Sequence, residues 1–508
     1  MHFAPFRTVP FLTLLALPAI AQTTVHPLVA PRANYTVVAG SDTGAPSARM
    51  WGGSATDGTR LFVFGGRTSP AGAAGSVYFN GLYAFDTVTG SWTTLSPEGD
   101  PNAPANGFRQ AMAYDPSGNR LVIVGGASAA GVFPAFGTTH VFDLATNTWS
   151  TIANPTPGTT GPQEHLDGKL AFDAASGSLV LFGGTIAAGA TGRMGETWLL
   201  SGTTWTPVTG LTAGVDRPSD RALHAMAARS APYGDVVLVG GRDTADAIQN
   251  DTWRWDGVTG TWSQITPINA TVPVSWASGN EVVYDALREV LVINNGPGTG
   301  IAPSNTTSGS TGWVSEYDCV VNEWRAFGVN TTTQGSSDPI VGNVQRFFSA
   351  FVAGKVLLWA GQNTNTIGDA DLTKVKEYQA DPLASATPYG SGCNGLALAA
   401  GSNPWGGRTW SLTGSGFGPT AVGALGISLA QTALPLPSPG LSGCDLLIDT
   451  NLLLTAVLLL PSAGSASYSL ALPLDASFGG LPLDGQMFAL DSIGVTSSNG
   501  IAGVLGAN

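Results

Sequence analysis

Charged side chains are scarce in this sequence of 508 residues. It has 21 Lys and Arg and 34 Asp and Glu, which make up 11% of the chain and give a formal net charge of −13. Only four of the cations are lysines. Proteins that bind nucleic acid or an anionic membrane need a basic surface, so this composition argues against both classes. Intrinsic disorder is also excluded, because 43% of the residues are hydrophobic.

Long helix-forming stretches are missing as well. The chain contains 68 Gly and 33 Pro, and its apolar runs are short and bounded by turn residues. This texture is typical of an all-β protein with many turns. The length is too great for one small core, so we expect two domains.

The N-terminal apolar run, residues 11–19, is shorter than the roughly 20 residues that a membrane-spanning helix needs. Arg7 precedes it, and the small-residue sequence Ala19-Ile20-Ala21 follows it. This arrangement predicts a secretory signal peptide over residues 1–21, cleaved after Ala21. We therefore expect an exported protein that is secreted, periplasmic or attached to the cell surface.

Cysteine is rare, with only Cys319, Cys393 and Cys444 in the chain. The last two lie in the C-terminal quarter, so in an exported protein a disulfide between them is the simplest pairing. Cys319 is then left as a buried thiol. The sequence has no CxxC pair or Cys/His cluster, which argues against a structural zinc site.

A repeat of about 57 residues organises the first three quarters of the chain. Six aromatic residues close successive units with gaps of 57, 57, 56, 57 and 62 residues: Tyr35, Trp92, Trp149, Trp205, Trp262 and Trp324. A diglycine follows the apolar run in four units: Gly65 and Gly66, Gly125 and Gly126, Gly183 and Gly184, Gly240 and Gly241. Two independent markers with nearly one period indicate repeated structural units.

Each unit reads as four short strands, and the second strand is apolar throughout, as in a sheet that is packed on both faces. Such sheets can bury both faces by forming a ring. The diglycine, the aromatic-x-aromatic-Asp sequence and the closing Trp resemble the kelch repeat, for example in residues 82–92, 140–149 and 252–262. The resemblance implies a six-bladed kelch-type β-propeller over residues 22–384.

The sixth unit has no closing Trp, and a matching strand occurs before the first unit. We therefore expect residues 33–39 to pair into the sixth blade and close the ring. After the repeats, apolar runs bounded by proline predict a β-sandwich-like domain over residues 385–508. That segment also resembles a C-terminal module of secreted bacterial proteins, which has no known biochemical role.

The kelch resemblance leaves more than one class of function open. A non-catalytic scaffold that binds a protein or glycan is our first hypothesis, with no cofactor, no bound metal and a monomeric state expected. A propeller enzyme, either a copper radical oxidase or a sialidase-like glycosidase, is the alternative. The oxidase needs paired histidines and a Cys beside a Tyr, and the glycosidase needs an arginine triad and a nucleophilic Tyr; neither set can be assigned.

The repeated aspartates are expected to cap turns rather than bind metal: Asp86, Asp143, Asp256 and Asp318.

Several cations lie close to the predicted starts of the innermost strands, where long connecting loops also emerge: Arg49, Arg109, His165, Arg221, His224 and Arg346. Variable loops on a rigid scaffold often bind ligands. In a chain with few cations this clustering predicts an anionic ligand, such as an acidic glycan or a carboxylate. The alternative is that the arginines hold neighbouring blades together through backbone carbonyls.

Overall fold

The computed structural model describes residues 33–68, 77–127, 137–186, 192–268, 281–295, 313–328, 344–345, 347–360, 362–363, 373–380, 384–436, 444–473, 478–492 and 494–506. The predicted signal peptide, residues 1–21, and the candidate ligand-binding residue Arg346 lie outside these residues. The described part is almost entirely β-structure, as the composition predicts.

The described residues between 33 and 380 form six four-stranded antiparallel sheets, which we number in chain order by their innermost strand. Sheet I consists of Gly53–Thr56, Arg60–Phe64, Leu82–Asp86 and Ser91–Ser96. Sheet II consists of Ala111–Asp115, Arg120–Val124, Thr139–Asp143 and Thr148–Ile152. Sheet III consists of Lys169–Asp173, Ser178–Thr185, Arg193–Ser201 and Thr204–Val208. Sheet IV consists of Ala225–Ala228, Val236–Val239, Thr252–Asp256 and Thr261–Ile265.

Sheet V consists of Val282–Asp285, Val290–Asn295, Trp313–Asp318 and Glu323–Gly328. Sheet VI consists of Phe348–Val352, Lys355–Trp359, Val375–Ala380 and Ala33–Val37. Two short ribbons pair Arg221–Ala222 with Arg242–Asp243, and Val344–Gln345 with Gln362–Asn363. The innermost strand of each sheet contacts those of the sheets before and after it, and sheet VI contacts sheet I, so the six strands surround a central axis.

The diglycines allow adjacent sheets to approach each other closely. In sheet II, Gly125 and Gly126 have φ values of 71° and 95°, which favour glycine. The Gly126 amide donates to the carbonyl of His165 at the entrance to sheet III, over 2.8 Å. A Cβ on Gly125 would lie 2.5 Å from the same carbonyl oxygen. The repeat therefore needs glycine where one sheet hydrogen-bonds to the next.

The closing tryptophans join each sheet to the one before it. The Nε1 of Trp205 in sheet III donates to the Thr139 hydroxyl of sheet II over 2.9 Å. The Nε1 of Trp262 in sheet IV donates in the same way to Thr197 of sheet III over 3.0 Å. Each indole thus fills the gap between two sheets and also satisfies its one polar group.

The repeated aspartates cap the turn between the third and fourth strands, as the sequence predicts. Asp143, for example, accepts hydrogen bonds from the amides of Ala145 and Thr146 over 2.8 and 2.9 Å. These amide donors lower the pKa of Asp143. Asp86, Asp256 and Asp318 make the same pair of contacts in their own turns.

The N-terminal strand lies at the outer edge of sheet VI. Ala33–Val37 pairs antiparallel with Val375–Ala380, and Tyr35 is opposite Tyr378 with the two ring centroids 5.5 Å apart. Tyr35 is buried among side chains of sheets V and VI. The first described strand therefore completes a sheet whose other three strands come from the end of the repeat region.

The C-terminal domain is a β-sandwich. Its larger sheet has the strand order Ser385–Tyr389, Gly494–Val504, Pro482–Asp491, Val422–Ser428 and Leu453–Leu459. The smaller sheet contains Ala397–Ala400, Thr409–Ser415 and Ser465–Ala471. A ribbon of Gln431–Pro435 and Asp445–Ile448 and a 3-10 helix, Thr450–Leu452, complete the domain. Both sheets contribute to one core around the fully buried Trp410.

The predicted disulfide is confirmed. Cys393 and Cys444 are bonded, with their Cα atoms 5.1 Å apart, and Cys319 is a free, partly buried thiol.

None of the helices in the described ranges is long and apolar enough to cross a membrane.

The sandwich contacts the end of sheet V where its hairpin turns lie. Arg408 Nε donates to the Arg288 carbonyl over 3.1 Å, and Arg408 Nη2 lies 3.0 Å from Asp318 Oδ1. Trp405 packs against Ala380 and Ala384 at the junction between the domains. The innermost strands begin at the opposite end of the ring, away from this contact.

Candidate binding site at the ring axis

A small cavity of about 20 Å³, partly open to solvent, lies where the six innermost strands begin. We call it the axial pocket. Every sheet contributes to its lining: Trp51, Gly52, Arg109, Gln110, Asp167, Gly168, Lys169, Leu223, Glu281 and Phe347. A concave site on the axis of a ring is a typical location for a ligand, since several chain segments converge there.

A belt of backbone hydrogen bonds surrounds part of the axial pocket. The Arg109 amide donates to the Trp51 carbonyl, the Asp167 amide to the Arg109 carbonyl and the Leu223 amide to the Asp167 carbonyl, over 2.6, 3.1 and 3.3 Å. These four residues occupy the same place in sheets I to IV, and their φ values are 58°, 65°, 58° and 62°. Left-handed backbone is costly for residues with a Cβ, and its repetition here fixes four side chains around the pocket.

This belt makes a testable prediction at Leu223. In ordinary backbone, Gly is less stable than Ala by about 0.5–1 kcal/mol, but left-handed backbone reverses the order. We therefore expect Leu223→Gly to be more stable than Leu223→Ala by about 1 kcal/mol. Urea denaturation of the two variants provides the comparison. Greater stability of the alanine variant would contradict the left-handed geometry at this position.

The charged groups in the axial pocket are paired with each other. Arg109 Nε lies 2.6 Å from Asp167 Oδ1, and a second guanidinium nitrogen contacts the other carboxylate oxygen. The Lys169 ammonium contacts the Glu281 carboxylate. The Arg109 side chain is 24% exposed, whereas that of Asp167 is 6% exposed. The pocket therefore presents charged hydrogen-bonding groups with little net charge.

Gln110 is the most unusual polar residue in the lining. It is only 5% exposed, and neither its amide nitrogen nor its amide oxygen has a hydrogen-bond partner among the described residues. Buried amide groups are normally satisfied, because an unpaired one costs about 1–3 kcal/mol. A site whose lining includes an unsatisfied donor and acceptor is suited to a ligand that supplies both.

Two of the predicted ligand-binding arginines are buried and make internal contacts. Arg49 donates to the Gly65 carbonyl and to Glu98, and Arg221 donates to the Gly240 carbonyl and to Asp251. Their exposed fractions are 2% and 1%. Each guanidinium thus binds the carbonyl of its own sheet's diglycine, and not a carbonyl of the neighbouring blade as the structural alternative expected. Of the five candidates within the described residues, Arg109 lines the pocket.

His165 and His224 are buried behind the axial pocket and do not line it. His165 Nδ1 donates to the Gln163 carbonyl over 2.7 Å, and the His224 ring packs edge-on against Phe182. Burial lowers the pKa of His165, and burial together with Arg221 and Lys169 lowers the pKa of His224 further. Both imidazoles are therefore neutral in the folded protein.

The two buried histidines make stability depend on pH. In the unfolded chain a histidine takes up a proton near pH 6.5, whereas these residues resist protonation while folded. Their contribution is therefore fully present above about pH 6.5 and is lost as the pH falls below it, by about 1.4 kcal/mol per pH unit for each histidine. Urea denaturation at pH 7.5, 6.5 and 5.5 measures this slope, and His224→Gln should reduce it. Equal stability at pH 7.5 and 5.5 would contradict the assignment.

No group of three or more His, Cys, Asp or Glu residues that could hold a metal ion occurs within the described ranges. Cys319, the one propeller cysteine, is partly buried beside Arg229, and burial raises its pKa to about 11.

The sequence analysis did not identify most of the pocket lining, including Trp51, Gln110, Asp167, Lys169 and Glu281. A signal for the belt was present. Trp51, Arg109, Asp167 and Leu223 are separated by 58, 58 and 56 residues, close to the period of the repeat. Alignment of the units at the start of the first strand would have placed Asp167 beside Arg109. Gln110 gave no such signal, because its unsatisfied amide is a property of the fold.

Comparison with known proteins gives one family match and weak structural matches. The family model described as the KLHDC2/KLHL20/DRC7 Kelch-repeats domain matches residues 33–166. A solved structure titled "Structure of YjhT" has 13% identity and a TM-score of 0.43, covering 68% of this chain and 97% of that one. A fungal alcohol oxidase of the AA5 family in complex with copper has 15% identity and a TM-score of 0.41, covering 90% and 85%.

Similarity at this level carries no information about activity. The family match and the arrangement of the sheets agree, however, on the architecture of the larger domain. The chain has the fold of a kelch-type β-propeller followed by a β-sandwich.

Proposed function

We propose that the protein is an exported, non-catalytic binding protein that binds a neutral sugar, as part of a glycan, at the mouth of the axial pocket. We further propose that the six described sheets are the complete set of blades. The observation that carries the proposal is Gln110, a residue of the pocket lining whose buried amide lies beside Gly65 and has no hydrogen-bond partner among the described residues.

Sugar hydroxyls match the chemistry of this amide. Each hydroxyl both donates and accepts, so neighbouring hydroxyls on one ring can bond to the amide nitrogen and oxygen of Gln110 together. The paired groups of Arg109 and Asp167, and of Lys169 and Glu281, add further donors and acceptors around the same space. Trp51 and Phe347 supply apolar surface for the carbon faces of the ring.

Charge pairing favours a neutral ligand over the anionic one that the sequence suggests. Arg49 and Arg221 are occupied inside the sheets, and Arg109 and Lys169 each contact a carboxylate. An anion would have to compete with these carboxylates for the same cations. A peptide ligand is the other candidate for a kelch-type propeller, and it is an outcome of the test below.

The test is a glycan array probed with the wild-type protein and three variants. Gln110→Leu should weaken binding about tenfold without lowering stability, because it removes an unsatisfied buried amide. Arg109→Ala should weaken binding as well. Arg60→Ala is the matched control, since Arg60 pairs with Asp57 in the first hairpin of sheet I at the opposite end of the ring.

Sugar binding that all three variants retain would place the ligand elsewhere on the molecule. Binding of peptides and no sugars would replace the glycan with a protein ligand. Stoichiometric copper in the purified protein would contradict the non-catalytic part of the proposal. Binding of acidic glycans only, in a manner that salt abolishes, would contradict the claim that the ligand is neutral.

A further inference from the structure

Asparagine followed by glycine occurs five times in the chain, and the surroundings of the pairs differ. Glycine has no Cβ to hinder its own backbone nitrogen, so in this dipeptide the asparagine side chain is readily attacked by the next backbone amide. In four pairs both residues are described: Asn80-Gly81, Asn106-Gly107, Asn394-Gly395 and Asn499-Gly500. The glycine of the fifth pair lies outside the described residues.

In two of the pairs the asparagine side chain is fixed. Asn80 is 4% exposed, and its amide group donates to the Pro104 carbonyl over 3.0 Å. The Asn499 amide oxygen accepts from the Leu398 amide over 2.8 Å, and its amide nitrogen donates to the Leu398 carbonyl over 3.0 Å. Neither side chain can turn toward the following backbone nitrogen without breaking these bonds.

In the third pair it is the backbone nitrogen that is occupied. Asn106 is exposed, but Gly107 is buried and its amide donates to the Phe79 carbonyl over 2.9 Å. A nitrogen that is held in this way cannot approach the neighbouring side chain unless the hydrogen bond opens first.

Asn394 and Gly395 have neither restraint. Both residues are exposed, and within the described residues no hydrogen bond is formed by the Asn394 side chain or by the Gly395 amide. Apart from the adjoining residues, no described atom lies within 4 Å of the position that a Cβ on Gly395 would take. Their φ values are 51° and 77°, and they form the tip of a tight turn that the Leu396 amide closes by donating to the Cys393 carbonyl over 3.1 Å.

The ends of this turn are anchored while its tip is in water. Cys393 is 5% exposed and bonded to Cys444, and Leu396 is 2% exposed in the sandwich core. The folded protein thus presents Asn394 and Gly395 to solvent without any local unfolding.

We infer that Asn394 is a site of spontaneous modification, at which its amide is converted to aspartate or isoaspartate while the protein stays folded. The Gly395 nitrogen attacks Cγ of Asn394, and the new C–N bond closes a succinimide ring. The side-chain nitrogen leaves as ammonia and takes the proton of the Gly395 amide with it. Water then opens the ring at either carbonyl, so one water is consumed, one ammonia is released, and nothing is oxidised or reduced.

The modification changes both the charge and the length of the turn. Either product adds one negative charge to the formal net charge of −13. Isoaspartate also lengthens the backbone between Cys393 and Leu396 by one carbon atom, because the chain then runs through the former side chain. The inference concerns the sandwich domain and does not rest on the proposed sugar site.

Peptide mapping by mass spectrometry tests the inference on the full chain. The purified protein is held in mildly alkaline buffer for several weeks, and the acid formed at each asparagine is measured in the same sample. Position 394 should gain acid at least about tenfold faster than positions 80, 106 and 499, because the reaction at those three waits for local unfolding. Asn394→Gln should remove the acidic shift of the whole protein in isoelectric focusing, and Asn106→Gln, the matched control, should leave it.

Repeating the mapping in urea, with the disulfide reduced, separates the fold from the local sequence. All four pairs have glycine after asparagine, so the four positions should react at similar rates once the chain is unfolded. No excess of acid at position 394 in the folded protein would overturn the inference. An excess that persists unchanged in urea would also overturn it, because the selectivity would then come from the neighbouring residues and not from the fold.

Discussion

Replacing Tyr35 with Ala should lower the free energy of unfolding by about 3–5 kcal/mol, as large-to-small changes of aromatic core residues do. Tyr35 is 6% exposed and packs against Tyr378. It lies on Ala33–Val37, the one strand of sheet VI that comes from the N-terminal end of the described residues. Its loss would weaken the pairing that holds Ala33–Val37 in place and would expose the edge of Val375–Ala380. Urea denaturation and the solubility of the variant measure both effects.

Thr36→Ala is the matched control for this change. Thr36 is the next residue on the same strand, its side chain is exposed, and its replacement should cost less than about 1 kcal/mol. If Tyr35→Ala costs no more than Thr36→Ala, the N-terminal strand does not hold the ring together.

Replacing Glu316 with Ala should have an effect of similar size at the centre of sheet V. Glu316 and Arg288 are each 3% exposed, with Glu316 Oε1 2.7 Å from Arg288 Nη1, and Tyr378 donates to the same carboxylate over 2.7 Å. Burial would lower the pKa of Arg288, but Glu316 and Asp285 outweigh it and raise the pKa. Removal of one partner leaves a buried charge poorly compensated, which costs about 3–5 kcal/mol.

The comparison variant is Glu323→Ala in the adjacent strand. Glu323 pairs with Arg325 over 3.3 Å and is 30% exposed, and such pairs contribute at most about 1 kcal/mol. Replacement of Arg288 and Glu316 together by Met and Leu should restore part of the lost stability, because the buried cation is removed with its partner and Asp285 keeps its two backbone amide donors. Similar destabilisation by the single and double variants would show that packing, and not charge, is responsible.

The sequence predicted the fold well because the repeat marks the points where neighbouring sheets touch. The glycine at position 126 is needed for a hydrogen bond to the next sheet, and the tryptophan at position 205 fills the gap to the previous one. Both requirements come from local backbone and volume constraints, so they recur in the sequence with the period of the structure. The disulfide followed from the small number of cysteines.

The sequence predicted the binding site less well, because two arginines in similar positions have different roles. Arg49 lies two residues before the left-handed Trp51 and is turned into its own sheet, whereas Arg109 is itself the left-handed residue and faces the axis. The left-handed backbone at Arg109 turns its side chain toward the axis, and composition gives no sign of it. Pairing with Asp167 and Glu281 also depends on which sheets are neighbours in the ring.

A crystal structure of the protein with the sugar that the glycan array selects tests the central claim most directly. The proposal predicts that the sugar ring lies at the mouth of the axial pocket, with hydroxyl groups within hydrogen-bond distance of both the amide nitrogen and the amide oxygen of Gln110. A ring bound on the sandwich domain or on the outer strands of the sheets, with the axial pocket unchanged and the Gln110 amide still unpartnered, would contradict it.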